Sequence, residues 1–312
     1  LSSMITMGHS GCLYNMDAVD TVTLERDRYG TPAKLTFSVI NDVNLAVEEG
    51  ALIEFVFHDD RVFRGYVFKT KSDADKIEVT AYDQLRYLKN KDSFDYKNIK
   101  LNRLVELIAQ KYGLRTGALV DTGYVIPARK ERDSTLIDII STAISLTLTN
   151  SNRLYILRDN YGEIVLEDIE SLRSGIVLNN AIPNFTIESS IDDKTYNVIE
   201  VKSNDETIKP TVAKDDASIK KWGVLKYVDG SLKEGENPNA KAKALLALYN
   251  HRTRSFSASD LPGDVSIVGG SSLAVMVNIG SEAIKQYMVV DSVKHSFTGD
   301  LHVMSLKLLG GI

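Results

Sequence analysis

The sequence is short of the residues that staple a fold together. One cysteine, Cys12, stands among 312 residues, which excludes an internal disulfide framework and any clustered thiolate metal site. No apolar run approaches the ~18 residues that a membrane-spanning helix needs, so no membrane span is expected, and no signal peptide is visible. Leu1 stands where an initiating Met would, so the native start is expected upstream. Charge of one sign never accumulates: 37 Lys and Arg face 42 Asp and Glu for a net charge of −5, both signs spread along the chain. A basic stripe that would grip a nucleic-acid backbone is missing, which leaves only a passive channel for such a polymer. What is present is a globular composition, 43% hydrophobic and 25% charged, long enough for about two domains of ~150 residues.

Strand alternation dominates both ends of the chain. Residues 19–27, 33–40, 51–59, 61–70 and 76–83 alternate polar and apolar positions, with Leu35, Phe37 and Val39 on one side of the second run. Turns are predicted at Gly30-Thr31-Pro32, at the hairpin tip His58–Arg61 and at Ser72–Asp75. The rhythm then changes. Leu101, Leu104, Val105, Ile108 and Tyr112 make a helical stripe over 101–113 that ends at Gly113. Leu136, Ile137, Ile140, Ala143 and Ile144 make a second over 133–147, capped by Asp133 or Ser134. A hairpin is predicted over 153–168 about Asn160-Tyr161. Strand character returns at 184–190, 195–203 and 206–214, where Pro210 interrupts the third run. A long polar loop over 215–240 follows, with the apolar insert 222–228. A third helix over 239–251 is capped by Asn239 and turns Leu245, Leu246 and Leu248 inward. The tail is read as strands at 253–259, 264–268, 273–279, 285–297 and 301–310. This order gives a mainly β chain with α+β content. The domains expected are a β domain over 1–90, a helix-and-hairpin α+β domain over 91–183, and a second β domain over 184–312.

Chemistry is sparse. His295 and His302 lie on neighbouring strands and can face each other, yet two histidines are too few for zinc without a carboxylate such as Asp291 or Asp300. His9, Ser10 and Cys12 bring a thiol and hydroxyl near an imidazole, but a first strand or frayed terminus accounts for them better. His58 and His251 stand alone. The acid pairs Asp59 and Asp60, Asp192 and Asp193, and Asp215 and Asp216 are adjacent residues in turns, not carboxylates held across a cleft. No G-x-S-x-G and no glycine-rich phosphate loop occurs, and Val268–Ser272 reads as a hairpin turn. Trp222 suits either a partner surface or domain packing. No catalytic, cofactor-binding or metal-binding residues are therefore assigned, no cofactor is expected, and the chain is read as no enzyme.

Several segments in order resemble a known family. Phe63, Gly65 and Val67, followed by Val79, Ala81, Tyr82, Asp83, Leu85, Tyr87 and Leu88, resemble the F-x-G-x-V and V-x-A-Y-D-x-L-x-Y-L segment of baseplate hub proteins from PBSX-like phage tails. The helix ending in Tyr112-Gly113, Asn197, the stretch Ser218-Ile219 to Gly223 and the closing run 287–308 are similar to later parts of that family. Residues 1–14 depart from its usual opening strand. The resemblance implies two tube-like β-barrel domains with an α+β domain between them. It implies a homotrimeric hub joining tail tube to central spike in a phage, prophage or phage-tail-like bacteriocin baseplate, assembled in the host cytoplasm. Its partners would be the tube protein, the spike protein and other baseplate proteins, with DNA or a tape measure passing through the lumen. The competing readings are a tail-associated cell-wall hydrolase and a binding module unrelated to phage.

Overall fold

The computed structural model describes residues 3–9, 12–42, 47–192, 195–202, 209–230, 232, 237–280 and 282–310. Ser10, Asp193 and the first residues of the predicted 206–214 strand lie outside them, as do the side chains of His9 and Cys12. The chain divides into two compact units, one of Leu1–Phe185 with Ser257–Leu308, the other of Thr186–Phe256 with Leu309–Ile312.

The first unit opens with seven strands, β1 (Ser3–His9), β2 (Cys12–Met16), β3 (Val22–Asp27), β4 (Lys34–Ile40), β5 (Leu52–Phe57), β6 (Asp60–Ser72) and β7 (Lys76–Tyr82). Their alternation is real: Leu35, Phe37 and Val39 of β4 are buried with Thr36 and Ser38 between them, and Ile53, Phe55 and Phe57 of β5 are buried with the more exposed Glu54 and Val56 between them. The β5–β6 hairpin turns at His58 and Asp59, both at positive φ. Beyond β7 come α1 (Leu101–Lys111), α2 (Leu136–Ser151), the hairpin strands β8 (Tyr155–Asp159) and β9 (Ile164–Asp168), and β10 (Arg173–Asn179). Leu101, Leu104, Val105 and Ile108 of α1 pack with Leu136, Ile139, Ile140 and Ala143 of α2 over Tyr155, Ile156 and Ile164 of the hairpin. Gly113 follows the end of α1 at φ 63°. The cap of α2 is Thr135, whose hydroxyl accepts the Asp138 N–H at 3.2 Å. Asp133 and Ser134, the expected caps, lie in the strand Arg129–Thr135 that precedes the helix.

The chain re-enters this unit through β11 (Ser272–Ile279), β12 (Glu282–Thr298) and β13 (Leu301–Gly310). Here the expectation of two tube-like β-barrel domains is overturned. The C-terminal strand β12 pairs with the N-terminal β3, from Ser292↔Asp27 to Phe297↔Val22. The result is one open sheet in which Phe185–Ser190 and Thr253–Pro262 lead into the order β13-β12-β3-β4-β7-β6-β5-β1-β2, with β11 and β10 branching from β12. Strands from the two ends of the sequence share one core, in which Phe297 meets Phe55 and Phe57 at ring-centre distances of 4.9 Å. Among the described residues no sheet closes into a barrel or curls strongly. Alternation reports which way a side chain faces, not which strand lies beside it, so the sequence rhythm found many of the strands and misjudged their pairing. The predicted strand 264–268 is also absent; those residues form turns, with Ile267 and Val268 buried.

In the second unit, Val198–Val201 pairs antiparallel with Thr211–Lys214 and parallel with Lys226–Asp229. The region expected to be a loop contains the helix Asp216–Trp222, capped by the Asp215 carboxylate on the Ala217 and Ser218 N–H groups. The later helix spans Pro238–Tyr249 and is capped by Asn237, not Asn239, because Pro238 at the first helical position shifts the start. It buries Ala242, half-buries Leu245 and Leu246, and leaves Leu248 exposed. Among the described residues no helix is long and apolar enough to cross a membrane.

Candidate functional site

The hub-like segment owes its residue types to local geometry. A Cβ on Gly65 would stand 2.2 Å from the Tyr82 carbonyl oxygen, so only glycine lets β6 approach β7 there. Val67, Val79, Ala81, Leu85 and Leu88 are buried in the first unit. Tyr66, Tyr87, Phe68 and Tyr82 form a half-buried ladder with successive ring centres 5.7–5.9 Å apart, and Arg86 lies over Phe68 at 5.2 Å.

Asp83 is the centre of this segment. Its Oδ2 accepts the Ala33 N–H at 2.9 Å, and its Oδ1 accepts the Leu85 N–H at 3.0 Å, which caps the 3-10 turn Gln84–Lys89. Asp159 of β8 belongs to the same cluster. Its Oδ1 accepts the Gly162 N–H at 2.7 Å, while Oδ2 is buried without a hydrogen bond. Burial, then the mutual repulsion of the two carboxylates, raises Asp83 well above the usual carboxylate range; burial also raises Asp159. Arg26 of β3 faces them and donates to the Val62 carbonyl, and burial lowers its pKa to about 10. Arg26 and Asp159 were missed in the sequence. The signal was available for Arg26, which continues the core-facing row of Val22 and Leu24. Close backbone contacts hold the same seam: a Cβ on Gly269 would lie 2.4 Å from the Asp27 backbone, and one on Gly270 would lie 2.8 Å from Ile156. Val268–Ser272 is a turn, closed by the Ser271 N–H on the Val268 carbonyl at 3.0 Å, but not the predicted hairpin, because 264–268 is not a strand. Nearby, Arg28 pairs with Asp291 at 3.3 Å.

His295 and His302 do meet. His295 is fully buried; its Nδ1 lies 3.0 Å from His302 Nε2 and its Nε2 lies 3.0 Å from the Ile267 carbonyl. A neutral His295 satisfies both contacts by donating from Nε2 and accepting at Nδ1. Burial lowers its pKa to about 3, and the nearby Arg26 and His302 push the same way. His302 stacks on Phe297 at 4.1 Å. Its ring fills the space where a Cβ on Gly263 would stand.

The remaining candidates are dispersed. Asp59 and Asp60 are exposed at a hairpin tip, Asp192 is exposed, and Asp215 serves as a helix cap that also accepts from Asn250. Trp222 is half-buried at the end of its helix, with Lys221 over its ring at 5.6 Å. His58 is exposed on the β5–β6 hairpin, and His251 follows the Pro238–Tyr249 helix. Among the described residues no group of three His, Cys, Asp or Glu side chains is placed to hold a metal ion. What the first unit offers is a rigid, interlocked scaffold.

Residues 22–309 match the family described as YQBQ-like. The chain belongs to that family. It is 28% identical to the protein YqbQ of Bacillus subtilis, over 93% of this chain and 91% of that one. It is 26% identical to the phage-like element PBSX protein XkdQ of the same organism, over 93% and 92% of the two chains. Its fold is shared with the 43 kDa tail protein of prophage MuSo2 from Shewanella oneidensis, with a TM-score of 0.72 at 11% identity over 98% of both chains. The resemblance seen in the sequence thus places the chain in the right family, while the barrel architecture drawn from it does not hold.

Proposed function

We propose that this chain is a structural hub of a phage-tail-like baseplate that links the tail tube to the central spike. The observation that carries this reading is the end-to-end fold likeness to a prophage tail protein, which covers 98% of both chains. Kinship to a PBSX element protein over 93% of the chain points the same way. The particle is a phage tail, a prophage tail or a related contractile device assembled in the bacterial cytoplasm. The hub is a homotrimer that contacts the tube, the spike and neighbouring baseplate proteins, and its central opening lets DNA or a tape-measure protein pass without gripping it. The even spread of charge suits such a passive opening.

A part that joins tube to spike transmits load, so its own lobes must not shear. Gly270 packs against Ile156 of the helix-and-hairpin lobe, and Arg26 of the sheet lies near Asp159 of the hairpin, so sheet and lobe meet at this seam. Close packing of this kind fixes one arrangement and resists sliding. Catalysis has no part in this role. Quantitative mass spectrometry of purified particles tests it: the chain is expected in the particle at far fewer copies than the tube protein. Equal abundance with the tube protein, absence from the particle, or lysis of cell walls abolished by one substitution would reverse the reading.

A further inference from the structure

A cavity of about 340 Å³ opens beside the hub-like segment, within the first unit. Ordinary ligand sites span ~300–1,000 Å³. Asp83, Asp159, His295 and His302 are not among the residues that line it. Four stretches of chain converge there. Arg64 and Tyr66 come from β6, Tyr87 from the 3-10 turn, and Tyr112 and Arg115 from the end of α1 and the residues after it. The β8–β9 turn adds Gly162.

The tyrosines supply apolar walls. Tyr66 and Tyr87 stand edge to face with ring centres 5.9 Å apart, and all three rings are half-buried. The Tyr112 hydroxyl donates to Asp92 at 2.8 Å, so its polar end is already satisfied. The arginines supply the charge. Among the described residues they are the only charged side chains in the lining. Arg64 pairs through Nε at 3.3 Å with Glu54, which lies opposite it on β5. Arg115 pairs through Nη2 with Glu163 at 3.1 Å. Neither glutamate lines the cavity. A guanidinium carries five N–H donors in a fixed fork, so one glutamate holds each head in place and leaves donors for a second acceptor.

The frame is set before any ligand arrives. Buried Gln84 clamps the Arg115 backbone: its Nε2 donates to the Arg115 carbonyl and its Oε1 accepts the Arg115 N–H, both at 3.0 Å. Gly162 and Glu163, adjacent in the β8–β9 turn, position both arginines. A Cβ on Gly162 would stand 2.8 Å from Arg64 Cδ, and Glu163 holds the Arg115 head. Gly113, at φ 63°, keeps its side of the cavity clear, with no atom within 4 Å of where a Cβ would stand. Guanidinium groups beside aromatic rings recognise a carboxylate that adjoins an apolar group. A nucleic-acid strand would need a row of cations along its backbone, and two arginines do not make one.

We propose that this cavity is a socket for an acidic peptide segment of a neighbouring baseplate protein, with an apolar side chain among the tyrosines and the adjoining carboxylate on Arg64 and Arg115. This rests on the hub reading and names a docking chemistry for it. The purified full chain, isotope-labelled at arginine, is titrated with N-acetyl-Phe-Glu-amide and followed by NMR. Saturable shifts of the Arg64 and Arg115 Nε–H signals are expected. The neutral N-acetyl-Phe-Gln-amide should bind about tenfold more weakly, because a hydrogen bond to a charged group is lost. Arg115→Gln, on an exposed side chain, should weaken the acidic peptide to a similar degree and leave the thermal midpoint unchanged. Equal binding of the two peptides, or no shift at either arginine, would overturn the proposal. Inorganic phosphate bound as tightly as the acidic peptide would make this a phosphate site and overturn it too. In assembled particles, a benzophenone photo-cross-linker at Tyr66 is expected to capture a segment of another baseplate protein with Asp or Glu beside an apolar residue. Arg64→Gln together with Arg115→Gln should abolish that capture. Particles that contain the chain but give no capture would overturn the socket with the hub reading intact. Absence of the unmodified chain from particles would instead sink the hub reading, and the neighbouring baseplate protein with it.

Discussion

His295 should make this protein sensitive to acid, working against Asp83 and Asp159, whose raised carboxyls favour the folded state as pH falls. The side chain is fully buried and holds a proton only below about pH 3 in the folded chain, against an ordinary value of 6.5 once unfolded. The unfolded chain therefore takes up a proton that the folded one refuses. The stability that neutral, buried His295 contributes is complete above pH 6.5 and is lost as pH drops from there toward 3. The penalty is ~2 kcal/mol at pH 5 and approaches ~5 kcal/mol below pH 3. Arg26 and His302 oppose the charge, while Asp264 favours it too weakly to compensate. His295→Gln retains a donor for the Ile267 carbonyl and an acceptor for His302 but has nothing to titrate. Urea unfolding at pH 7 and pH 5 reads the difference. The unmodified chain should lose ~2 kcal/mol more than the variant between these values. His302, itself lowered by burial, adds to the slope in both proteins and cancels in the comparison. Parallel losses in the two proteins would refute the assignment of the acid response to His295.

Three further outcomes follow from the same structure. Gly65→Ala forces a methyl into the Tyr82 carbonyl and should cost ~3 kcal/mol or more, read as a lowered urea midpoint. Asp83→Asn leaves either the Ala33 or the Leu85 N–H facing an amide donor and should cost ~1–3 kcal/mol in the same assay, whereas an effect under ~0.5 kcal/mol would remove Asp83 from the seam. Thr135→Ala removes the cap of α2 and should cost ~1 kcal/mol, while Ser134→Ala, at the neighbouring expected cap, should be nearly silent.

Local features were legible in the sequence wherever one period governed them. The stripe Leu101, Leu104, Val105 and Ile108 appears in α1 as read, and Gly113 closes it. The hairpin at Asn160-Tyr161 is present because Tyr161 and Gly162 take the positive φ such a turn requires. Cap positions slipped by one or two residues where several capping residues stand together, as at Asp133, Ser134 and Thr135. The larger error was the pair of barrels, since nothing local in β12 states that its partner is β3, some 270 residues away in sequence. The polar seam was hidden for a related reason: nothing local in the Asp83 segment tells that Arg26 and Asp159 are brought to it by tertiary packing. His295 and His302 were paired correctly because a short turn at Gly299 fixes which residues of β12 and β13 face each other.

The central claim is the place of this chain in a particle, and a side-chain-resolution reconstruction of the intact particle by electron cryomicroscopy tests it most directly. Three copies between the tail tube and the spike, with the sheet of Val22–Asp27 and Ser292–Phe297 recognisable in each, are the expected result. Six copies repeated along the tube, or a position on the tail fibres, would contradict it.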